Sequence, residues 1–309
     1  MSTEQEIKYD LIEDGIHPYL DERKYRRDPA IAVSDIKEMR LSPAHFYAKK
    51  FGGYRPEKSN AQNIGTLVHL ACLEPDVFDR QVILDPVDAP KRPTKAQREA
   101  KKPSEETIKA IEFWDKWEKE NAGKEVLSVD ELAQIKGIRD SVFGHEDAMS
   151  LLRDTQHEVA MFKTILVDGQ EIRIKGKADI VTRRDTIADI KTVDRGYANP
   201  RDFSKSIEKW GYEMQAAWYL DLFNAIEGKS VEDDFEIPKT KRRWVFIVAE
   251  KEPPFAVCTL ELDQDSIEIG RRENEMYLRQ LARCFSKNEW PGPPRERGLV
   301  GLPEWRKKA

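Results

Sequence analysis

The chain has 309 residues, 35% charged and 39% hydrophobic, with a net charge of −5. That length can bury a sizeable core as one large domain or two smaller ones, and no apolar run approaches the length of a membrane span. The N-terminus, Met1-Ser-Thr-Glu-Gln-Glu6, lacks a signal-peptide pattern, and Cys72, Cys258 and Cys284 are too scattered for a disulfide framework or a cysteine metal site, so a reducing cytoplasm is the expected location.

The acidic total argues against a nucleic-acid partner only on average, because local patches steer phosphates. Basic clusters occur at Arg23–Arg27, Lys91-Arg92, Lys101-Lys102 and Lys239–Arg243; taken alone, each reads as a solvated face.

In chain order, residues 1–30 read as a polar N-terminal segment, 31–288 as the folded domain and 289–309 as an extended tail. Ser34–Leu41 is predicted to be a short helix capped by Ser34, and Ser42-Pro43 starts a second, broken by Gly52-Gly53 and Pro56. From Asn60 to Leu73, Ile64, Leu67, Val68 and Ala71 fall at i, i+3, i+4 and i+7, a buried helical stripe. Gly65 and His69 lie one turn apart on a neighbouring face; a helical glycine costs about 1 kcal/mol against alanine and usually admits a close approach. In isolation His69 reads as a partly buried core histidine, with a metal ligand as the alternative.

Residues 85–103 carry four prolines among many charges and read as an exposed loop or mobile insertion. Helices follow over Glu105–Asn121 and from Ser128, whose spacing to Glu131 is that of a capping box, towards Gly144, with a further short one ending near Asp154.

Next comes a β region. His157–Ile165 and Glu171–Lys175 alternate around a turn at Asp168-Gly169, and Lys175–Val181 and Thr186–Thr192 are joined by a tight turn at Arg183–Asp185. The last two strands carry Asp179, Asp189 and Lys191, while Lys175 and Lys177 read as hairpin surface. Period-two alternation puts Asp189 and Lys191 on one face and Ile190 on the other. Two carboxylates brought together repel, and a divalent cation between them relieves that cost. Glu158 opens the first strand and can share the same sheet end; alone it reads as an exposed strand glutamate.

Beyond the hairpin, Asn199-Pro200 starts a helix, and Lys209–Glu227 forms another with a core stripe of Tyr212, Ala216, Tyr219, Leu220 and Phe223 and Gln215 at its edge. Two strands, Arg243–Ala249 and Phe255–Leu262, and a long helix from Asp265 to about Asn288 complete the pattern.

An acid on one strand followed by Asp-x-Lys on the next is the layout of a magnesium-dependent phosphodiesterase site. Mg²⁺ takes oxygen ligands and keeps several waters, so a few carboxylates plus a substrate phosphate suffice. Asp-x-Lys by itself is a weak signal whose bland counterpart is an ion pair on a surface strand. The order Gly65-x-x-x-His69, Glu158, Ala178-Asp179, Asp189-Ile-Lys191, Gln215-x-x-x-Tyr219 resembles the PD-(D/E)xK nuclease superfamily, in particular its RecE (exonuclease VIII) and lambda-exonuclease-like branch. The resemblance spans roughly residues 31–262. Ala178 stands where the name-giving proline would be, and the cysteine quartet of iron–sulfur relatives is absent.

The resemblance implies an α/β (α+β) restriction-endonuclease-like core, a mixed central sheet flanked by helices. It implies His69, Asp179, Asp189 and the Ile190 carbonyl as ligands of Mg²⁺, with Mn²⁺ able to substitute. Lys191 is then the catalytic lysine, Glu158 the acid preceding the hairpin, and Gln215 and Tyr219 the helix behind the site that can approach DNA. The implied activity is degradation of linear double-stranded DNA from its ends, 5′-to-3′, by a homo-oligomeric ring that hands a 3′ overhang to a single-strand annealing protein. An endonuclease or single-strand nuclease of the same fold is one alternative; a catalytically silent DNA-end-binding or scaffold protein is another.

Overall fold

The computed structural model describes residues 11–55, 60–226 and 242–293. Its first half runs β1 (Gly15–His17), α1 (Glu22–Arg27), β2 (Ile31–Ala32), α2 (Val33–Ile36) continuing as a 3-10 turn at Lys37–Arg40, α3 (Pro43–Lys50), α4 (Asn60–Leu73), α5 (Pro75–Gln81), β3 (Val82–Leu84), α6 (Lys95–Arg98), α7 (Glu105–Glu120), β4 (Glu125–Leu127), α8 (Val129–Gly144) and α9 (Glu146–Leu152). The second half runs β5 (Thr155–Val167), β6 (Gln170–Thr182), β7 (Thr186–Val193), α10 (Pro200–Trp210), α11 (Tyr212–Ala225), β8 (Arg243–Glu250), β9 (Val257–Glu261) and α12 (Gln264–Lys287).

A mixed sheet forms in the order β1-β5-β6-β7-β8-β9, with β2 also paired to β6. The stretches Glu171–Lys175 and Lys175–Val181 merge into the single long strand β6, antiparallel to β5 from Thr155↔Thr182 to Val167↔Gln170. Between β6 and β7 the ladder is short, only Ile180↔Ala188 and Val181↔Ile187, after which the strands part. Strand β7 turns instead to β8, pairing in parallel along its whole length.

Strand β8 explains its own sequence. Trp244, Phe246 and Val248 face the core under α10, α11 and α12, while Val245, Ile247 and Ala249 face the core under α4 and α8. A strand covered on both faces reads as a continuous apolar run, and each fully buried side chain of that size contributes roughly 1.5–3 kcal/mol. The result is a three-layer helix–sheet–helix arrangement, the mixed α/β architecture expected.

Several local expectations are corrected. Segment 11–30 is not separate from the domain: β1 pairs with β5, and the buried Asp28 carboxylate accepts from the Ile12 and Ala30 amides and pairs with Arg173. Ser34 does not cap α2; the helix begins one residue earlier, and Asp35 accepts the Ala32 N–H. Gly211, at φ 62°, ends α10 and starts α11, so no continuous helix runs from Lys209. Lys175 is not hairpin surface: it is buried and donates to the Tyr25 and Asp28 carbonyls. Arg242 is likewise buried against the Phe223 ring rather than solvated.

Residues 85–103 are mostly exposed, contain the one-turn helix α6, and are joined to α7 by Arg92 stacked on Trp114 and by the pairs Arg92–Glu118 and Arg98–Asp115. Trp290, expected in an extended tail, packs among Phe46, Tyr47, Phe51 and Phe285. Pro56, the charged loop after Glu227 and the tail from residue 294 lie outside the described residues.

Candidate active site

The gap where β6 and β7 part is where the sequence-predicted residues meet. Each arrives on a different element: His69 from α4, Glu158 from β5, Asp179 from β6, Asp189 and Lys191 from β7, Gln215 from α11. The Asp179 carboxylate accepts the Ile190 N–H at 3.2 Å and lies 3.0 Å from His69 Nδ1. Gly65, one turn before His69, faces β7, where a Cβ would come to 3.4 Å from Thr192 Oγ1, an ordinary contact.

Glu158 reaches the site through an unusual backbone. It sits at φ 53° inside a strand, between the paired residues His157↔Ile180 and Val159↔Ala178 and so opposite Asp179. A left-handed glutamate costs on the order of 1–3 kcal/mol and persists only where its surroundings hold it. Here Lys177 holds it, with Nζ 2.7 Å from the Glu158 carboxylate and 2.7 Å from that of Glu22.

Asp189 and Lys191 form a second, adjoining cluster. Asp189 Oδ2 is 2.5 Å from Lys191 Nζ, while Gln215 donates to Asp189 Oδ1 at 2.7 Å and accepts from Lys191 at 3.3 Å. The Lys191 ammonium also lies 4.5 Å from the centre of the Tyr212 ring. Tyr219, one turn beyond Gln215, packs its ring on Trp244 behind β6.

Electrostatics follow from this crowding. Burial works against a charge on His69, but the Asp179 carboxylate, by charge and hydrogen bond, with Asp189 behind it, raises the imidazole to about 9. Burial favours neutral Asp179 too, yet His69 and Lys191 hold it below the usual carboxylate range. Glu158 is pushed up by burial and by the charge of Asp179, against the pull of Lys177. Asp189 is pushed up by burial and Asp179 in spite of Lys191. Lys191, for which burial is the adverse influence, is kept above its ordinary range by Asp189 and Tyr212.

His69, Glu158 and Asp179 offer ligand atoms that all lie within 4.8 Å of one another. One imidazole and two carboxylates are a donor set that can hold a divalent metal cation. The ion pair of His69 with Asp179 places a proton where a cation's charge would go, so the fit is also electrostatic. Of the expected ligands, His69 and Asp179 belong to this group and Glu158 joins them. Asp189 lies outside it, engaged by Lys191 and Gln215, and Ile190 is seen through its N–H.

Sequence reasoning missed three neighbours. Lys177 was set aside as surface, Tyr212 was read as core stripe, and Lys37 was not singled out. Lys37 Nζ lies 5.7 Å from the centre of the same Tyr212 ring that Lys191 covers and donates to the Trp210 carbonyl at 2.9 Å. Burial and repulsion from Lys191 lower its amine to about 7. No local pattern marks it, since Lys37 and Lys191 meet only through the tertiary fold.

A divided β6–β7 pair carrying an acid on one strand and Asp-x-Lys on the next, between two helical layers, defines a nuclease domain of the PD-(D/E)xK superfamily. The chain belongs to the family described as a PDDEXK-like domain of unknown function (DUF3799), whose profile matches residues 32–296. Among solved structures it is similar to a protein of Eubacterium rectale proposed to be an exonuclease, at 15% identity, with a TM-score of 0.58 over 94% of this chain and 98% of that one. It also matches a phage-related exonuclease from Haemophilus somnus 129PT at 15% identity, with a TM-score of 0.27 over 72% of this chain and 95% of the other. No curated protein matches. Among the described residues no helix is long and apolar enough to cross a membrane.

Proposed function

We propose that the protein is a Mg²⁺-dependent exodeoxyribonuclease that degrades linear double-stranded DNA from its ends. The observation that carries this reading is the convergence of His69, Glu158 and Asp179 beside the Asp189–Lys191–Gln215 cluster. In this role His69, Glu158 and Asp179 would hold the cation, next to the Asp189–Lys191 pair. When bound, that ion lowers the pKa of a water and offsets charge on the scissile phosphate. Lys191, held as an ammonium, would orient an attacking water and stabilise negative charge that develops on the phosphate oxygens. Gln215 keeps the Lys191 amine and the Asp189 carboxylate in register.

The finer reading follows the RecE and lambda-exonuclease resemblance: 5′-to-3′ resection by an oligomeric ring threaded by DNA, leaving 3′ overhangs for an annealing protein. A ring also accommodates the net charge of −5, since basic residues need only line the channel.

The test is digestion of linear duplex labelled separately at its 5′ and 3′ ends, with Mg²⁺ or EDTA, comparing wild type with Asp189→Asn and Lys191→Ala. Release of the 5′ label first, only with Mg²⁺ and only by wild type, supports the proposal. Cutting of covalently closed circles would replace it with an endonuclease, and equal activity in the variants would remove the site assignment.

A further inference from the structure

The corner between α10 and α11 presents an aromatic ring to solvent at the edge of the site. Among the described tryptophans only Trp210 is exposed, at 55%; Trp114, Trp218 and Trp244 are buried. An indole in water forgoes a large burial gain and offers a flat aromatic face on which another ring can stack.

The corner's construction ties this ring to the reacting centre. Gly211 adopts φ 62°, and a Cβ there would lie 2.9 Å from Arg40 Nη1 and 3.2 Å from Lys37 Cε. The residue before it is Trp210, whose carbonyl is gripped by Lys37. The residue after it is Tyr212, whose ring lies beneath the Lys191 ammonium. Lys209 places its own ammonium 4.7 Å from the Trp210 ring centre.

The charges around the ring select the kind of partner. Arg40 is neutralised by Glu213 and Glu273, but Lys37 has no carboxylate within ion-pair distance among the described residues, and neither does Lys209. A hydrophobic protein partner would have to cover the Lys209 ammonium and the Lys37 amine without a compensating acid or acceptor of its own. A nucleotide strand offers both a flat ring for the indole and phosphates for the amines.

We propose that Trp210 is a stacking platform for an unpaired nucleobase of the DNA strand being cut, with Lys37 and Lys209 taking the phosphates beside that base. This rests on the nuclease reading and goes beyond it by naming where a base, rather than the scissile phosphate, is held. A base can offer its face only once unpaired, so the platform acts on a nucleotide freed from the duplex end.

The experiment uses the full chain in Ca²⁺ buffer with duplexes carrying 2-aminopurine at each of the first three nucleotides of either strand. Wild type is expected to quench the probe at one position or more. Trp210→Ala is expected to lose that quench and bind the duplex about tenfold or more weakly, and Trp210→Phe to retain binding within about threefold. Absence of any quench with wild type, or its persistence in Trp210→Ala, overturns the platform while leaving cleavage of DNA by wild type intact. Wild type that neither binds nor cuts DNA overturns the nuclease reading and the platform together.

Discussion

Asp179 and Ile190 are joined side chain to main chain: where β6 and β7 separate, the Asp179 carboxylate takes the Ile190 N–H that a neighbouring strand's carbonyl would otherwise accept. One carboxylate thus satisfies a buried amide, pairs with His69 and faces Glu158. Asp179→Asn keeps an acceptor for Ile190 but removes the charge that the other two contacts depend on. Cleavage of linear duplex is expected to fall by about 10²–10³-fold while the fold survives. Initial rates at saturating Mg²⁺ and a circular-dichroism melt check it; a loss under about tenfold would take Asp179 out of the reacting centre.

Gln215 touches both members of the Asp189–Lys191 pair without being a donor in the three-residue ligand group. Residues that orient site groups in this way typically account for a 10–100-fold effect on metal affinity or activity. Gln215→Ala is expected to cost about that much, with the Mg²⁺ concentration for half-maximal rate shifted upwards. Gln215→Glu should not rescue it, because it replaces the donor to Asp189 with a fourth carboxylate at the site. A Mg²⁺ titration of the cleavage rate decides this.

The raised pKa of His69 makes a signed prediction for the metal-free protein. Its value goes from an ordinary 6.5 to about 9 on folding. The imidazolium–Asp179 pair therefore contributes stability in full below about pH 6.5, and that contribution disappears as pH rises through about 9. In EDTA the melting temperature of wild type should fall between pH 6 and pH 9.5 by more than that of His69→Gln. Because ligation needs the neutral imidazole, apparent Mg²⁺ affinity should rise over the same interval. A wild-type melt that tracks His69→Gln across this range would contradict the pairing.

The parts of the site legible in the sequence are those written in local patterns. Alternation and the Arg183–Asp185 turn place Asp179, Asp189 and Lys191, and the helical stripe over Ile64–Ala71 places His69. Glu158 was legible as a strand residue, but its left-handed backbone was not, because a glutamate at φ 53° leaves no signature in its neighbours. The break at Gly211 was hidden because the apolar stripe begins only at Tyr212, and nothing in that spacing marks the φ of 62° that favours glycine at the residue before it. Segment 11–30 looked separate because β1 is too short to show alternation, and its pairing with β5 spans well over a hundred residues.

Gly176 on β6 carries the last prediction. A Cβ there would lie 2.9 Å from Cδ1 and Cε1 of Tyr219 and 3.2 Å from Cδ2 of Leu222, both on α11. The Tyr219 ring cannot swing freely away, because its other neighbour is the fully buried Trp244. Alanine is the better strand residue by up to about 1 kcal/mol, but overpacking of this kind typically costs about 1–3 kcal/mol, so the clash decides the sign. Gly176→Ala is expected to lower the melting temperature by several degrees. It should also slow cleavage, since a displaced α11 carries Gln215 away from Asp189. An unchanged melt would show that the ring yields; an unchanged melt with slowed cleavage would instead place the effect in the register of α11 alone.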